Sequence, residues 1–131
     1  SLPVGLYYVV NKTHYQAGDI VCFPIHENVK RIVSERKWLP ENSYLMKKII
    51  AGYGDYCCVD NYKYHVKNSY GNIKLTDSFG RTMPEISLCK LLPENEFFVG
   101  DLDQERSFDS RYFGTINKNN IHGIARPLWI F

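Results

Sequence analysis

The sequence predicts a single, mainly β domain of antiparallel strands. Turn signals that combine glycine with aspartate, asparagine or serine recur at short intervals, separated by β-branched and aromatic runs. The chain has 131 residues, of which 44% are hydrophobic, so it is long enough to bury one core. These observations together favour antiparallel sheets with one short connecting helix.

Eight strands and one helix are expected along the chain. The expected strands cover residues 5–10, 19–24, 45–51, 56–59, 63–66, 73–75, 97–99 and 113–117. The helix is expected at residues 26–36, because Val29, Ile32 and Val33 share one face at i, i+3, i+4 spacing. The polar segment of about residues 60–90 is expected to be a hairpin-like insertion within one domain that covers residues 1–131.

The composition disfavours several classes of function. Sixteen basic and fourteen acidic side chains give a formal charge of +2, and the basic residues are spread along the chain, so nucleic acid is not an expected partner. No histidine lies at a spacing that would join it with cysteines in a compact ligand set, so neither a metal nor another cofactor is expected. The four cysteines leave free thiols and disulfides both open, although a bridge between the adjacent Cys57 and Cys58 would be strained.

The start of the chain carries information about processing. No apolar run approaches the roughly 20 residues needed to cross a bilayer, and no signal-peptide pattern is present. The first residue is Ser1 and not methionine, and it stands directly before an apolar run. We therefore expect that an upstream segment has been removed, together with any targeting information in it.

Two adjacent lysines lie inside the strand-like run of residues 45–50. Alternation along a strand sends Lys47 and Lys48 to opposite faces, so one can be buried while the other stays in water. Burial lowers the pKa of a lysine, and a neutral lysine can act as the base that a serine nucleophile needs. No histidine lies in a Gly-x-Ser-x-Gly context that would favour it as the base. The alternative is an edge strand with two solvated charges.

Residues 107–114 concentrate polar groups among aromatic ones. Ser107, Asp109 and Arg111 lie within five residues of one another, shortly after Gly100-Asp101. A partly buried aspartate and arginine tolerate each other better than either is tolerated alone. The alternative for Ser107 is a simple turn residue that caps Asp109.

The chain resembles the signal peptidase family, and most closely its TraF-type conjugative-transfer peptidases. Residues 47–55, Lys-Lys-Ile-Ile-Ala-Gly-Tyr-Gly-Asp, match the lysine motif of that family in register. Gly100-Asp101 and residues 107–114 match its last signature, Gly-Asp followed by Ser-x-Asp-Ser-Arg-aromatic-aromatic-Gly. The opening residues 1–7 satisfy the TraF-type pattern Ser-Leu-Pro-x-Gly-Leu-Tyr at every fixed position.

The resemblance implies a fold and a role for each site residue. It implies the signal peptidase/LexA-like fold of coiled antiparallel sheets with one short helix, and it implies no cofactor. By the same resemblance Ser1 is the nucleophile and Lys47 the general base. Ser107 holds the Lys47 amine towards the nucleophile, and Asp109 and Arg111 form an ion pair behind the site.

The implied activity is that of a serine endopeptidase with a Ser/Lys dyad. Its substrate would be an exported precursor, in the conjugative subgroup a pilin, bound as an extended segment with small side chains near the cut. The acyl-enzyme would be resolved by water or by the pilin's own amine, so hydrolysis and cyclisation both stay open. An N-terminal membrane anchor, absent from this chain, would hold the domain at the periplasmic face of the bacterial inner membrane.

The sequence leaves three other interpretations of the function open. A non-catalytic β module of a secretion or pilus assembly would leave Lys47 in solvent, far from Ser1 and Ser107. A nucleophile that uses its own α-amine as base would need a layered α/β fold, which this chain is too short to form. A self-cleaving repressor would need a DNA-binding domain or a cleavage segment, and neither occurs in the sequence.

Overall fold

The computed structural model describes residues 2, 4–40 and 42–130, which form two antiparallel sheets. The larger sheet has the strand order β1-β10-β2-β3-β8-β9, and the smaller has the order β6-β5-β4-β7. The strands are β1 (Gly5–Val10), β2 (Ile20–Pro24), β3 (Tyr44–Ala51), β4 (Tyr56–Asp60), β5 (Lys63–Val66), β6 (Ser69–Asn72), β7 (Leu88–Leu91), β8 (Glu96–Val99), β9 (Ile116–Asn117) and β10 (Gly123–Ile130). The predicted mainly β class is confirmed.

The expected helix is present as two short pieces. A 3₁₀ turn at Glu27–Val29 leads into α1 (Lys30–Glu35), and Val29 and Val33 face the core. A second helix, α2 (Ser110–Phe113), replaces the first part of the strand predicted at residues 113–117. The Asp109 carboxylate accepts a hydrogen bond from the Arg111 N–H at 3.0 Å and so caps the start of this helical turn, which ends at Phe113, the first residue of the predicted strand. Among the described residues, no helix has the length and hydropathy needed to span a membrane.

The strand predicted at residues 73–75 is wrong. The chain reverses at Lys67, which has a φ of 56°, so β6 begins almost at once and pairs with β5 along its whole length. Gly71 therefore lies inside a strand and not in a turn. A Cβ atom there would lie 2.6 Å from the Tyr64 ring, so this ring occupies the space that any side chain would need.

Strands β7 and β10 were not predicted. β10 contains Pro127, which normally argues against a strand that has neighbours on both sides. Here β2 pairs only with Gly123 and Ile124, and β1 alone pairs with the Pro127 stretch, at a bulge beside Tyr7. The proline therefore lies where one side of the strand has no described partner strand.

Strand β8 separates two hydrophobic cores because its side chains alternate between faces. Phe97 and Val99 contribute to the first core, and Phe98 contributes to the second. The first core also contains Val21, Phe23, Val29, Val33, Ile49, Phe113 and Ile116. The second also contains Ala51, Cys57, Val59, Val66, Ile73, Met83, Leu92 and Tyr112. The side chains of Trp38 and Phe108 pack against both cores and join them.

The segment that follows β8 folds back onto the end of that strand. The Gly100 N–H donates to the Lys48 carbonyl at 2.9 Å, and the Ser110 hydroxyl accepts from the Val99 N–H at 2.9 Å. Gly100 has a φ of 150°, and a Cβ atom there would lie 2.3 Å from Oδ2 of Asp109. Glycine is therefore required both by the backbone conformation and by the close approach of Asp109.

A disulfide links the smaller sheet across two neighbouring strands. Cys58 of β4 and Cys89 of β7 are direct partners in the strand register, and their side chains are bonded. Cys22 and Cys57 are buried free thiols. The sequence had left this pairing open.

Replacing both Cys58 and Cys89 by serine should lower the free energy of unfolding. The bond joins residues 31 positions apart, and closing a loop of that length restricts the unfolded chain by about 3–4 kcal/mol. Urea denaturation without reductant should show this loss, and added reductant should bring the wild type down to the double variant. Equal midpoints for wild type and double variant in the absence of reductant would contradict the expectation.

Gly100→Ala should cost more stability than a matched Gly18→Ala change. Gly18 also has a positive φ, of 95°, but it has no atom within 4 Å of an added Cβ. Its substitution should therefore cost about 1 kcal/mol for backbone strain alone, whereas Gly100→Ala adds a collision with Asp109 and should cost roughly 2–4 kcal/mol in total. Urea midpoints of the two variants provide the comparison, and equal losses would show that the close approach is not a constraint.

Candidate active site

Lys47 lies on the face of β3 that points towards the first core. The residues on either side of it along that face, Leu45 and Ile49, both pack into this core, and Lys47 is half-buried between them. Lys48 points to the opposite face and is exposed. Of the two adjacent lysines, Lys47 is therefore the one drawn out of water.

The Lys47 amine lies beside the hydroxyl of Ser107, with 3.4 Å between Nζ and Oγ. Ser107 itself is buried, and its N–H donates to the Gln104 carbonyl at 3.2 Å. The hydroxyl oxygen can accept a hydrogen bond from the amine and so fix its direction. The structure brings together two residues that are 60 positions apart in the chain.

Burial lowers the pKa of Lys47 because a charged ammonium is less stable away from water. The nearby charges act in both directions: Asp109 and Asp101 raise this pKa, whereas Arg111 lowers it. Desolvation is the largest of these effects, and the lowered pKa increases the fraction of neutral amine near neutral pH. A neutral amine can accept a proton, so this side chain is suited to act as a base.

Asp109 and Arg111 form a buried, two-pronged ion pair. Their relative exposures are 0% and 3%, so both charges are fully withdrawn from water. Arg111 Nη2 lies 2.7 Å from Oδ2 of Asp109, and Nε lies 2.9 Å from Oδ1. The hydrogen bonds and charge of Asp109 raise the pKa of Arg111 although its burial acts in the opposite direction. The guanidinium therefore stays charged and paired.

The same guanidinium holds the loop that carries Ser107. Arg111 Nη2 also donates to the backbone carbonyls of Asp101 and Gln104, at 2.9 and 2.7 Å. The Asp101 N–H in turn donates to Oδ2 of Asp109 at 3.3 Å. The ion pair thus closes the loop of residues 101–109 at several points and fixes Ser107 opposite Lys47.

An apolar cavity of about 410 Å³ opens beside Lys47. Trp38 and Phe108 meet edge to face in its wall, with ring centroids 5.2 Å apart. The other lining residues are Val33, Leu39, Leu45, Thr76, Asp77, Ser78, Met83, Arg106 and Tyr112. The sequence interpretation missed this cavity because its walls come from segments distant in the chain, and only Phe108 and Tyr112 among these residues belong to a motif that was recognised.

Lys47 also lines a second cavity, of about 450 Å³. Leu2, Lys48, Gly100 and Asp101 contribute to that cavity. Ser1, the predicted nucleophile, lies outside the described residues, but Leu2, the residue that follows it, lines this second cavity together with Lys47. Lys47 therefore contributes to the walls of two cavities.

Part of the β3 backbone beside Lys47 lacks a strand neighbour on one side. β2 pairs with β3 from Tyr44 to Lys48, but the pairing with β8 starts only at Ile49. Within the described ranges, the edge of residues 44–47 that faces away from β2 is therefore not covered by a strand. An extended peptide could add to such an edge through backbone hydrogen bonds.

The histidines make contacts that do not involve Lys47 or Ser107. His26 stacks on Phe113, and the His122 ring lies 2.8 Å from the hydroxyl of Tyr44. In the part of the chain that the structure describes, no three His, Cys, Asp or Glu side chains are grouped as metal ligands. The described polar chemistry around Lys47 is that of a serine, a carboxylate and a guanidinium.

This chain is similar to one solved structure and to two plasmid transfer proteins. Signal peptidase I from Enterococcus faecalis superposes with a TM-score of 0.46 at 19% sequence identity, covering 86% of this chain and 97% of that chain. Two plasmid transfer proteins TraF from Escherichia coli are each 26% identical to this chain over 138 aligned positions. Each alignment covers 98% of this chain and 78% of the TraF protein.

A family profile covers almost the whole chain. The profile of signal peptidase, peptidase S26, matches residues 1–130. This match includes the lysine motif, the Ser107 signature and the opening serine motif, so the resemblance stated from those motifs is confirmed. The chain belongs to the signal peptidase family, peptidase S26.

Proposed function

We propose that this peptidase is a serine endopeptidase in which Ser1 is the nucleophile and Lys47 the general base. The observation that carries the proposal is the half-buried Lys47 amine, with a lowered pKa, 3.4 Å from the Ser107 hydroxyl. A surface lysine of a non-catalytic module would be expected in solvent, where its pKa would not be lowered by burial. Leu2 supports the assignment of Ser1, because it lines a cavity together with Lys47.

The proposed reaction is acyl transfer. The neutral Lys47 amine takes the proton of the Ser1 hydroxyl as the Ser1 oxygen bonds to the carbonyl carbon of the scissile peptide. The resulting ammonium returns that proton to the leaving amine as the peptide bond breaks, which leaves an acyl-enzyme. Water or an amine then attacks the ester carbonyl and releases Ser1. In this step Lys47 removes a proton from the attacking water or amine and gives it to the departing Ser1 oxygen, which restores the hydroxyl and the neutral amine.

Ser107, Asp109 and Arg111 are proposed as positioning residues. Ser107 accepts from the Lys47 amine and directs its lone pair towards Ser1. The buried ion pair holds the loop that carries Ser107, through the carbonyls of Asp101 and Gln104. No cofactor is needed in this scheme, since base, nucleophile and support all come from the chain.

The substrate is proposed to be an exported precursor that binds as an added strand. Family membership makes exported precursors the substrate class, and the open edge of β3 with its adjoining cavities offers an extended chain a place to lie. Small side chains next to the cut would let the scissile carbonyl reach Ser1 closely. The upstream membrane anchor and a site at the periplasmic face of the inner membrane belong to the same proposal.

Conjugative pilin is the proposed precursor. The support is the likeness to two plasmid transfer proteins over 98% of this chain, together with the TraF-type form of the serine motif at residues 1–7. Attack on the acyl-enzyme by the pilin's own N-terminal amine would give a cyclic product. Attack by water would give a linear one, and mass spectrometry of the product distinguishes the two by the mass of one water.

Lys47→Ala should abolish precursor processing, lowering its rate by about 1,000-fold or more, because it removes the proposed general base. Ser1→Ala should have the same effect, since it removes the nucleophile. Both are measured in the complete protein, with any segment that precedes Ser1, by following pilin precursor cleavage. Lys48→Ala is the matched control and should retain activity. Normal processing by either of the first two variants would defeat the serine/lysine mechanism.

The rate of cleavage should rise with pH and then level off. At pH values below the lowered pKa of Lys47 the ammonium form dominates and cannot accept a proton, and above it the neutral amine is present throughout. The measurement is kcat/KM for the purified complete protein across the acid to alkaline range. Lys48→Ala should leave the profile unchanged. A profile that is flat, or that falls with rising pH, would rule out a neutral lysine base.

A further inference from the structure

Residues 76–82, here called the strap, form a tight turn beside the cavity at Lys47. Its first three residues, Thr76, Asp77 and Ser78, line that cavity. Thr76 and Thr82 pair as an isolated β-bridge, and the Asp77 N–H donates to the Arg81 carbonyl at 2.8 Å. The strap is therefore a closed backbone loop that belongs to the cavity wall.

The carboxylate of Asp77 makes the strap rigid from within. It accepts hydrogen bonds from the N–H groups of Phe79 and Arg81, both at 2.9 Å, and from Nε of Arg81 at 2.8 Å. Nη1 of Arg36 lies 3.4 Å from the same carboxylate. These bonds hold the backbone of the turn in one conformation without help from a ligand.

Two arginines fasten the strap to the rest of the domain. Nη2 of Arg36 donates to the Thr82 carbonyl at 2.7 Å, and Nη1 of Arg106 donates to the Thr76 carbonyl at 3.2 Å. The Arg36 guanidinium also lies 5.4 Å from the ring centroid of Trp38, which forms part of the cavity wall. Both ends of the strap are thus tied to elements that border the cavity.

The strap nevertheless exposes a large aromatic side chain. Phe79 directly follows the cavity-lining Ser78, and 81% of it is accessible to solvent. Its described ring contact is with the guanidinium of Arg81, 5.1 Å from the ring centroid. An exposed aromatic residue on a rigid backbone can bind with little loss of conformational entropy, which is the property of a binding anchor.

We infer that Phe79 is a specificity-determining residue that docks an apolar side chain of the precursor, outside the segment held in the cavity. The inference rests on the proposed peptidase function. Thr76, Asp77 and Ser78 line the cavity, and Phe79 is the next residue of the strap. A precursor that leaves the cavity along the strap would therefore contact Phe79. For this reason we take the precursor to be the binding partner of this side chain.

The test separates binding outside the cavity from binding at the cut. In the non-cleaving Lys47→Ala background, a conjugative pilin precursor is titrated both whole and as a short peptide spanning its cut site. Adding Phe79→Ala should weaken binding of the whole precursor by about tenfold and leave binding of the short peptide unchanged. Phe79→Trp should retain the affinity. In the active protein, Phe79→Ala should raise KM for the whole precursor with little change in kcat.

Tyr53→Ala is the matched control, because Tyr53 is 72% exposed but lines a different cavity. Tyr53→Ala should change neither the affinity for the whole precursor nor the affinity for the short peptide. The inference would be overturned if the Lys47→Ala protein and the Lys47→Ala, Phe79→Ala protein bound the whole precursor equally. It would also be overturned if Phe79→Ala weakened only the binding of anionic lipid vesicles. Cleavage that survives Lys47→Ala would defeat the proposed function alone, since the effect of Phe79→Ala on KM for the whole precursor would still be measurable in the active protein.

Discussion

The buried ion pair between Asp109 and Arg111 is the interaction on which the site depends. Removing two charges from water costs several kcal/mol each, and this cost is offset only where every polar atom finds a partner. Arg111 satisfies that condition by binding Asp109 at two points and the carbonyls of Asp101 and Gln104. The same bonds determine the course of the loop before Ser107. The hydrogen bonds that stabilise the buried pair therefore also position the Ser107 hydroxyl.

The pairing of these two charges also shapes the environment of Lys47. Asp109 alone would stabilise the ammonium form of the lysine, and Arg111 alone would destabilise it. Because the two lie together, their fields at the Lys47 amine oppose each other, and desolvation is left as the largest effect. The pKa of a lysine can thus be lowered beside a carboxylate, provided that the carboxylate is already bound to a guanidinium.

Local features of the fold were predictable from the sequence, and long-range ones were not. The strands at Gly5–Val10 and Lys63–Val66 match their predicted bounds, because alternation and turn residues determine them locally. β10 contains Pro127, and a proline fits in this strand only because β2 ends its pairing before reaching it, which the local sequence does not reveal. β6 could be predicted only by knowing that the chain reverses at Lys67. In the candidate site, Ser107, Asp109 and Arg111 share one motif, so the sequence could name them as candidates. The cavity could not be predicted, because its walls depend on which distant segments pack together.

The position of the free Cys57 has a consequence for the chemistry of the neighbouring disulfide. Its side chain points into the second core, away from that of Cys58, and burial raises the pKa of its thiol to about 12. A thiolate is the species that attacks a disulfide, and almost none is present on Cys57 at neutral pH. Exchange between this thiol and the Cys58–Cys89 bond is therefore confined to chains in which β4 has opened. The folded domain therefore preserves the Cys58–Cys89 pairing and keeps Cys57 as a free thiol.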